Sequence, residues 1–411
     1  MKSTDSETRS HPDNGESAGI PMRLAELSVD NFKSLVDFNL PLADFTCLIG
    51  LNGSGKSTVI QAVDFIACLF KGRISRWLEL RQWSPADLNS KLIRKSNITV
   101  GVALRGAGKV LLWKARFNRT SLKCTQEAVK IDKRIIFVVN EGSYAIADER
   151  GAMARTKIAF EYEGSVLSQL KDEILPSALR ELKLFLQSTV ALDLLAPQFL
   201  RKKTNSSYGD IGLAGERLSA FLHELSTAQR TALLARLQTC YPRLSNFFTR
   251  SLRAGWKELN IKEQFGHTQL NTEAKHVNDG MLRLMAILAE ILTEHKFVLF
   301  DEIENGINPE LVEFLLDSLV GSRQQVLVTT HSPMILNYLD DDVARAGVHY
   351  LYRTPEGYTR SVPFFSIPSV SEKLEVMGPG EAFVDTNLTR LYEEIQAMPA
   401  TERGQGDADP R

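Results

Sequence analysis

A glycine-rich segment near the amino terminus has the residue types and spacing of a phosphate-binding loop. Residues 50–57 read GLNGSGKS and match the pattern G-x-x-x-x-G-K-[ST]. In such a loop backbone N–H groups surround the phosphates, the lysine reaches the β- and γ-phosphates, and the final hydroxyl is a Mg²⁺ ligand. We therefore expect ATP and Mg²⁺ as cofactors, with Lys56 and Ser57 in these roles. The other expected binding residues are Asn52, Gly53, Ser54, Gly55 and Thr58.

Further candidate residues follow two apolar runs in the second half of the chain. Asp301 and Glu302 come directly after residues 297–300 (FVLF), and His331 comes shortly after residues 325–328 (QVLV). Asp301 could be a Mg²⁺ ligand and Glu302 could polarise an attacking water. The His331 imidazole could contact the γ-phosphate. We predict Lys56, Glu302 and His331 as the residues that act in hydrolysis.

The candidate residues can form one site only if the strands that precede them end at the same edge of a sheet. The runs at residues 45–49, 297–300 and 325–328 are almost continuously apolar, which is typical of strands buried on both faces of a parallel sheet. Ligands of open α/β sheets bind at the carboxyl ends of the strands. The sequence therefore predicts an α/β core with one shared site.

The segment between the two parts of this core is long and changes character. Its first part is rich in strand patterns such as NITVGVAL, VLLWKARF and RIIFVV, whereas its second part has helical spacing, with Ser226 predicted to cap the helix TAQRTALLARLQ. The predicted divisions are a disordered leader at 1–21, core at 22–90, a basic β lobe at 91–165, a helical lobe at 166–275, core again at 276–397, and a flexible tail at 398–411. A hairpin is expected at VHYLYRT-PEG-YTRSVPF.

Composition excludes several classes of protein. The chain has 411 residues, a net charge near -1 and four cysteines without close pairing, which argues against zinc ribbons and disulfide frameworks. The polar leader has no apolar segment typical of a signal peptide, and no apolar run is long enough to span a bilayer. We expect a cytoplasmic protein.

A local excess of positive charge is a candidate nucleic-acid interface. Residues 91–134 contain twelve Lys or Arg residues and two acidic ones, interleaved with Trp113 and Phe117. Such a surface could follow a phosphate backbone. Alternatively, the charges keep the sheet soluble and protect its edges.

Five motifs occur in a characteristic order: LAELSVDNFKSL, the phosphate loop, VNDGMLR at 277–283, LFDEIENGINP and TTHSP. In these motifs and their order, the chain resembles the ABC/SMC class of ATPases, in particular stand-alone AAA-family ATPases related to RecF and OLD proteins. The resemblance implies an ABC/SMC-type P-loop core with an inserted antiparallel β lobe and a helical lobe. It identifies residues 278–281 as the signature, 304–309 as the D-loop region and His331 as the switch histidine.

By the same resemblance Asn278, Asp279 and Gly280 would contact the γ-phosphate of ATP bound to a second subunit. The signature departs from the family pattern, because Asn278 stands where Ser is usual and Met281 where Thr is common. Either Asn278 or Asp279 could cap the following helix. The Mg²⁺-sensing glutamine is weakly marked, with Gln198 as the first candidate and Gln82 as the second.

The resemblance implies an ATPase that forms a homodimer or larger oligomer around ATP, senses nucleic acid and works with a separate effector such as a nuclease, in DNA maintenance or antiphage defence. Residues 340–342 (DDD) are expected to form a solvated loop, so that any nuclease activity would come from a partner. Two alternatives stay open. One is an ATP-dependent assembly scaffold with little turnover, and the other is a transporter ATPase subunit.

Overall fold

The computed structural model describes residues 21–398, except 107, 141, 149 and 194. The strands are β1 (Arg23–Asp30), β2 (Phe38–Pro41), β3 (Phe45–Ile49), β4 (Asn97–Gly106), β5 (Lys109–Asn118), β6 (Lys123–Ile131), β7 (Arg134–Asn140), β8 (Ser143–Ala147), β9 (Met153–Lys157), β10 (Thr189–Leu192), β11 (Leu244–Ser251), β12 (Lys257–Phe265), β13 (Thr268–Glu273), β14 (Phe297–Phe300), β15 (Gln325–Thr329), β16 (Val348–Arg353) and β17 (Thr359–Pro363). The helices are α1 (Lys56–Lys71), α2 (Ile74–Arg81), α3 (Ser177–Gln187), α4 (Pro197–Leu200), α5 (Leu218–Glu224), α6 (Thr227–Cys240), α7 (Asp279–Glu290), α8 (Val312–Val320), α9 (Asp341–Gly347), α10 (Pro368–Leu374), α11 (Pro379–Val384) and α12 (Leu388–Ala397).

A six-stranded sheet forms the centre of the molecule, in the order β10-β14-β15-β3-β16-β17. All of its neighbouring strands are parallel except the pair β16 and β17, which forms the predicted hairpin. The three apolar runs of the sequence are β3, β14 and β15, and they are adjacent. The predicted parallel α/β core is therefore confirmed, and the residues that follow these strands meet at one edge.

An eight-stranded antiparallel sheet lies against this core, in the order β2-β1-β4-β5-β6-β7-β8-β9. It joins the amino-terminal strands to the basic β segment, because β1 pairs with β4 through partners such as Leu27 and Val102. The segment that begins near residue 97 thus extends the sheet that β1 starts.

Helix α1 packs between the two sheets. Phe65 on this helix stacks on Phe32 at 5.4 Å and meets the edge of Phe117 from β5 at 5.0 Å. Alternate residues of the central strands, such as Phe297 and Leu299, join this same core, while Val298 joins a second core built with α7 and α8 on the opposite face. Because both faces are covered, the central strands are continuously apolar.

The segment predicted as a helical lobe is only partly helical. The predicted cap is confirmed: Ser226 Oγ accepts from Gln229 N at 3.2 Å, while Ser226 N donates to Gln229 Oε1 at 3.0 Å. However, residues 244–273 form an antiparallel sheet in the order β11-β12-β13. A two-residue turn with Gly266 at φ 56° joins β12 to β13, which the helical reading of this region did not anticipate.

Two other expectations concern polar segments. Asp341 and Asp342 lie in the first turn of α9, so the acidic trio begins a helix and is not the predicted loop. Negative side chains are favourable there because they interact with the positive end of the helix dipole.

Residues 1–20 of the predicted leader and 399–411 of the predicted tail lie outside the described residues, while Met398 is buried. Within the described part of the chain, no helix is both long enough and apolar enough to cross a bilayer.

Glu127 is a fully buried carboxyl group in the eight-stranded sheet, and it gives a testable pH dependence. It accepts hydrogen bonds from Trp113 Nε1 at 3.1 Å, Val166 N at 2.7 Å and Ser165 Oγ at 2.5 Å. Burial nevertheless raises the pKa of Glu127 from 4.5 to about 7. Since folding favours its protonated form, the contribution of Glu127 to the free energy of unfolding should fall as pH rises from about 4.5 to about 7.

Replacing Glu127 with Gln should remove this contribution. We expect the thermal unfolding midpoint of the parent, relative to that of Glu127→Gln, to decrease across this pH range. Circular dichroism melts of both proteins at a series of pH values measure the difference. Parallel curves would show that the Glu127 pKa is not raised by folding.

Candidate nucleotide-binding site

A cavity of about 1010 Å³ lies at the carboxyl edge of the central sheet. Its lining contains most of the residues predicted from the sequence. These are Asn52, Gly53, Gly55, Lys56, Ser57, Thr58, Glu302 and His331. The remaining lining residues are Gly50, Leu51, Arg353, Phe383 and Leu388. The volume suits a nucleoside triphosphate.

The glycine-rich loop between β3 and α1 is held in one conformation by β16 and β17. Gly50 has φ 143°, and a Cβ there would lie 2.3 Å from the Leu351 carbonyl oxygen. Gly55 has φ 112°, and a Cβ there would lie 2.3 Å from Thr359 Oγ1. That hydroxyl donates to the carbonyl of Ser54 at 2.9 Å, and Ser54 is buried with no partner for its own Oγ. Only glycine fits at positions 50 and 55, so this conformation of the loop depends on both glycines.

Lys56 begins α1 with its amine inside the cavity. The side chain is 4% exposed, and Nζ donates to the carbonyls of Gly50 at 2.8 Å and Leu51 at 3.3 Å. Burial lowers the pKa of Lys56, while the nearby carboxylates, Asp301 first among them, oppose that effect. The amine is therefore held at the loop where phosphate oxygens would replace the two carbonyls.

His331 joins Lys56 to Glu302. Its Nδ1 lies 3.4 Å from Lys56 Nζ, and its Nε2 lies 3.7 Å from Glu302 Oε1. Since a lysine ammonium only donates, the Lys56 contact is a hydrogen bond in the His331 tautomer that carries its proton on Nε2, the ring nitrogen that faces Glu302. The backbone N–H of His331 donates to Glu304 at 2.9 Å, and Asn305 donates to the other oxygen of Glu302 at 3.2 Å. The structure thus brings the three predicted catalytic residues together.

Thr329 orders the two carboxylates and was not predicted as a site residue. Its hydroxyl donates to Asp301 Oδ1 and accepts from the backbone N–H of Glu302 at 2.9 Å. The register explains this contact, since Phe300 pairs with Val328 and so places Asp301 beside Thr329. The hydroxyl thereby fixes the turn that follows β14.

Two of the residues proposed for Mg²⁺, Ser57 and Asp301, carry oxygen atoms suited to such an ion. Ser57 lines the cavity, whereas Asp301 is half-buried directly after β14, is not among the lining residues and has its Oδ1 bonded to Thr329. A hydroxyl and a carboxylate are the oxygen ligands that Mg²⁺ prefers, with phosphate oxygens and water completing the shell. No cluster of three or more His, Cys, Asp or Glu side chains suited to a metal occurs in the described ranges, and a site of this kind needs none.

Neither candidate for the Mg²⁺-sensing glutamine lines the cavity. Gln198 is exposed on α4, and Gln82 is exposed at the end of α2. The residue that directly follows β10, next to Asp301, is Asp193. It is buried and paired with Arg81 at 2.7 Å.

The signature lies away from this cavity. Asn278 Oδ1 accepts from Met281 N at 2.8 Å, so Asn278 rather than Asp279 caps α7. Asn278 and Asp279 are exposed, and Arg201 pairs with Asp279. Asn278, Asp279 and Gly280 are not among the residues that line the nucleotide cavity of their own chain. The amino terminus of α7 is therefore available to a second molecule.

Three cavity residues outside the phosphate loop were not predicted from the sequence. Arg353 ends β16 and donates through Nε to the Gly53 carbonyl at 2.8 Å. The run VHYLYR is continuously buried up to this arginine, so its apolarity was a signal for a core strand. Phe383 and Leu388 come from the carboxyl-terminal helices α11 and α12 and carried no such signal.

The basic face of the eight-stranded sheet departs from one expectation. Lys114 and Arg116 are exposed on β5, but Trp113 and Phe117 are 1% and 0% exposed and pack towards α1. Successive side chains of a strand point to opposite faces of the sheet. Because Trp113 and Phe117 are an odd number of positions from Lys114 and Arg116, the aromatic and basic side chains lie on opposite faces. Stacking of bases on these two aromatic residues is thus excluded, and the exposed face of β5 carries Lys114 and Arg116 beside the apolar Val110 and Leu112.

Comparisons with known proteins agree with this geometry. Residues 22–144, which contain the phosphate loop, match the family described as "AAA ATPase domain". Residues 178–337, which contain the signature, Asp301, Glu302 and His331, match the family described as "AAA domain, putative AbiEii toxin, Type IV TA system".

Two curated relatives match shorter segments. The OLD nuclease of Thermus scotoductus is 38% identical over 79 residues, which are 19% of this chain and 14% of that protein. The DNA replication and repair protein RecF of Beutenbergia cavernae is 25% identical over 133 residues, which are 32% of this chain and 33% of that protein. The chain thus spans a third or less of the length of these two relatives.

A solved structure extends the likeness to most of the fold. The crystal structure of the SmcHead bound to the C-winged helix domain of ScpA covers 86% of this chain and 99% of its own, with a TM-score of 0.53 and 14% identity. The two parts of the core therefore each contain a segment that matches an AAA-family ATPase domain, and the chain has the ABC/SMC-like fold of an SMC head domain.

Proposed function

We propose that the protein binds ATP with Mg²⁺ in the cavity at the phosphate loop, hydrolyses it, and uses the cycle as a switch that acts on nucleic acid together with a partner protein. The observation that carries this proposal is the meeting of Lys56, Glu302 and His331 around one glycine-rich loop. The match to AAA-family ATPase domains supports the same nucleotide.

Each residue has a role that follows from its position. Backbone N–H groups of the loop and the amino terminus of α1 would hold the phosphates, and Lys56 would neutralise their charge. Mg²⁺ held by Ser57 and Asp301 would supply further charge neutralisation at the phosphates. Glu302 would accept a proton from the attacking water, and a ring N–H of His331 would donate towards the γ-phosphate.

A second copy of the chain would complete the site. The exposed amino terminus of α7 has a partial positive charge, which would suit the terminal phosphate of ATP held by another protomer. Asn278 can cap the helix as serine would, so its departure from the family pattern does not remove this function. ATP would then hold two protomers together and hydrolysis would release them.

Nucleic acid is the proposed ligand of the basic face. The only acidic residues among positions 91–134 are Glu127 and Asp132, and Glu127 is buried, so these positions expose mainly positive charge. Two of their lysines are paired with acidic residues outside this range, Lys95 with Asp30 and Lys123 with Glu161. The curated relatives include a nuclease and a DNA replication and repair protein, which favours DNA as the first polymer to test. The effector would be a separate protein, such as a nuclease.

Replacing Lys114, Arg116 and Arg119 with Glu should weaken DNA binding and reduce its salt dependence. Loss of about three phosphate contacts should lower the slope of log K against log salt by roughly 2 to 3. Fluorescence anisotropy of a labelled duplex at several salt concentrations measures both values. The matched control reverses Lys171, Arg253 and Arg345, which are exposed outside this face, and it should leave the slope unchanged. Equal slopes for the two triple variants would return the basic face to a solubilising role.

Turnover separates the proposed switch from an ATP-dependent scaffold. We expect phosphate release by the parent protein and a change of its rate when duplex DNA is added. A protein that binds ATP and assembles but releases no phosphate would be a scaffold.

A further inference from the structure

Arg283 is a buried arginine near the catalytic residues, and the hydrolysis chemistry proposed above gives it no role. It lies on α7, five residues after the cap Asn278, and is 7% exposed. Its guanidinium donates to three backbone carbonyls: Leu195 at 3.1 Å, Asp301 at 3.0 Å and Glu302 at 2.8 Å. The Arg283 side chain therefore connects α7 to the segments that follow β10 and β14 at the carboxyl edge of the central sheet.

The backbone at Glu302 requires such support. Glu302 has φ 47°, in the left-handed region that a residue with a side chain rarely adopts. Its N–H donates to Thr329 Oγ1 at 2.9 Å and its carbonyl accepts from Arg283. Both backbone polar groups of this residue are thus held by side chains, and the carbonyl also accepts from Asn305 N at 3.0 Å. Strained backbone persists where its surroundings determine it in this way.

A second contact joins the same helix to the same turn. A Cβ on Gly280 would lie 2.6 Å from the Gly306 carbonyl oxygen, so the first turn of α7 is pressed against the loop that follows Glu302. The helix therefore has an exposed cap at Asn278 and, one turn further on, a buried arginine that fixes the hydrolytic residue of its own chain. Because elements packed in this way leave no free volume between them, a displacement of α7 would be transmitted to the turn that contains Glu302.

We propose that Arg283 is a positioning residue that holds the Glu302 turn in its strained conformation, so that the orientation of the catalytic carboxylate depends on the placement of the signature helix. This inference rests on the proposed function. The nucleotide that docks on the cap of α7 in one protomer would thereby influence hydrolysis at that protomer's own cavity.

Replacing Arg283 with Met should lower kcat about 10²-fold, as a misplacement of about 1 Å at a reacting group does. The affinity for ATP should stay near that of the parent, because Arg283 does not line the cavity. Arg283→Lys keeps the charge but cannot span three carbonyls, so it should recover part of the rate. In a Glu302→Gln background, Arg283→Met should cause no further loss, since the group that it positions is already absent.

Hydrogen exchange tests the inference without turnover. Peptides covering residues 301–307 should exchange faster in Arg283→Met than in the parent, with α7 itself unchanged. The matched control is Arg230→Met, because Arg230 also donates to a backbone carbonyl, that of Leu222 at 2.8 Å, but lies on α6. Arg230→Met should leave both kcat and exchange at 301–307 unaltered.

Two results would overturn the role of Arg283. One is parental exchange at 301–307 with parental kcat in Arg283→Met, and the other is faster exchange throughout α7 and the central sheet, which indicates a merely structural arginine. A parent protein without ATP turnover would instead contradict the proposed function, and the local exchange would still decide whether Arg283 holds the turn.

Discussion

Replacing Lys56 with Ala should abolish tight ATP binding. The amine is buried at the loop and would be the one lysine charge on the β- and γ-phosphates, which the backbone N–H groups cannot replace. Loss of one partner of a buried charge pair costs about 2–5 kcal/mol, which corresponds to roughly 30- to 4000-fold weaker binding. Titration calorimetry with ATP and Mg²⁺ measures this change.

Lys71→Ala is the matched control for this measurement. Lys71 lies at the other end of α1 and donates to the Thr189 carbonyl at 2.8 Å, away from the cavity lining. We expect parental ATP affinity in this variant. Parental affinity in Lys56→Ala as well would show that the phosphate loop is not the binding site.

Replacing Glu302 with Gln should slow hydrolysis by about 10²–10⁴-fold, the usual contribution of a positioned general base. The amide keeps the size of the side chain and can still accept from Asn305, so the turn and the affinity for ATP should be preserved. Phosphate release at saturating ATP measures the rate. Glu310→Gln, an exposed carboxylate beyond the loop, should hydrolyse ATP at the parental rate. A parental rate in Glu302→Gln would remove that residue from the mechanism.

The sequence was sufficient for the central sheet and for the loop because their signals are local. Continuous apolarity predicted β3, β14 and β15, and G-x-x-x-x-G-K-[ST] requires a strand before it and a helix after it. Asp301, Glu302 and His331 could be placed at one edge because parallel strands bring their carboxyl ends together.

Contacts between distant segments could not be predicted in the same way. Thr329 is a site residue only because β14 and β15 pair in one register, and Arg283 reaches Glu302 only because α7 packs beneath the end of β14. Trp113 and Phe117 illustrate a different limit. Their alternation with Lys114 and Arg116 predicted a strand, but the sequence did not show that α1 covers the aromatic face.

Two substitutions could place a negative charge at the proposed shared site, and the structure distinguishes them. Gly280→Asp would place an anion near the signature, but its Cβ would meet the Gly306 carbonyl and distort its own chain. Asn278→Asp is cleaner, because aspartate caps a helix as well as asparagine does and adds one negative charge where phosphate would dock.

Light scattering of the Glu302→Gln protein with and without ATP tests the central claim most directly, that two copies close around unhydrolysed nucleotide. We predict that saturating ATP with Mg²⁺ doubles the measured mass, that ADP does not, and that adding Asn278→Asp to this protein prevents the increase. An unchanged mass at saturating ATP, with nucleotide binding verified in the same sample, would contradict the account.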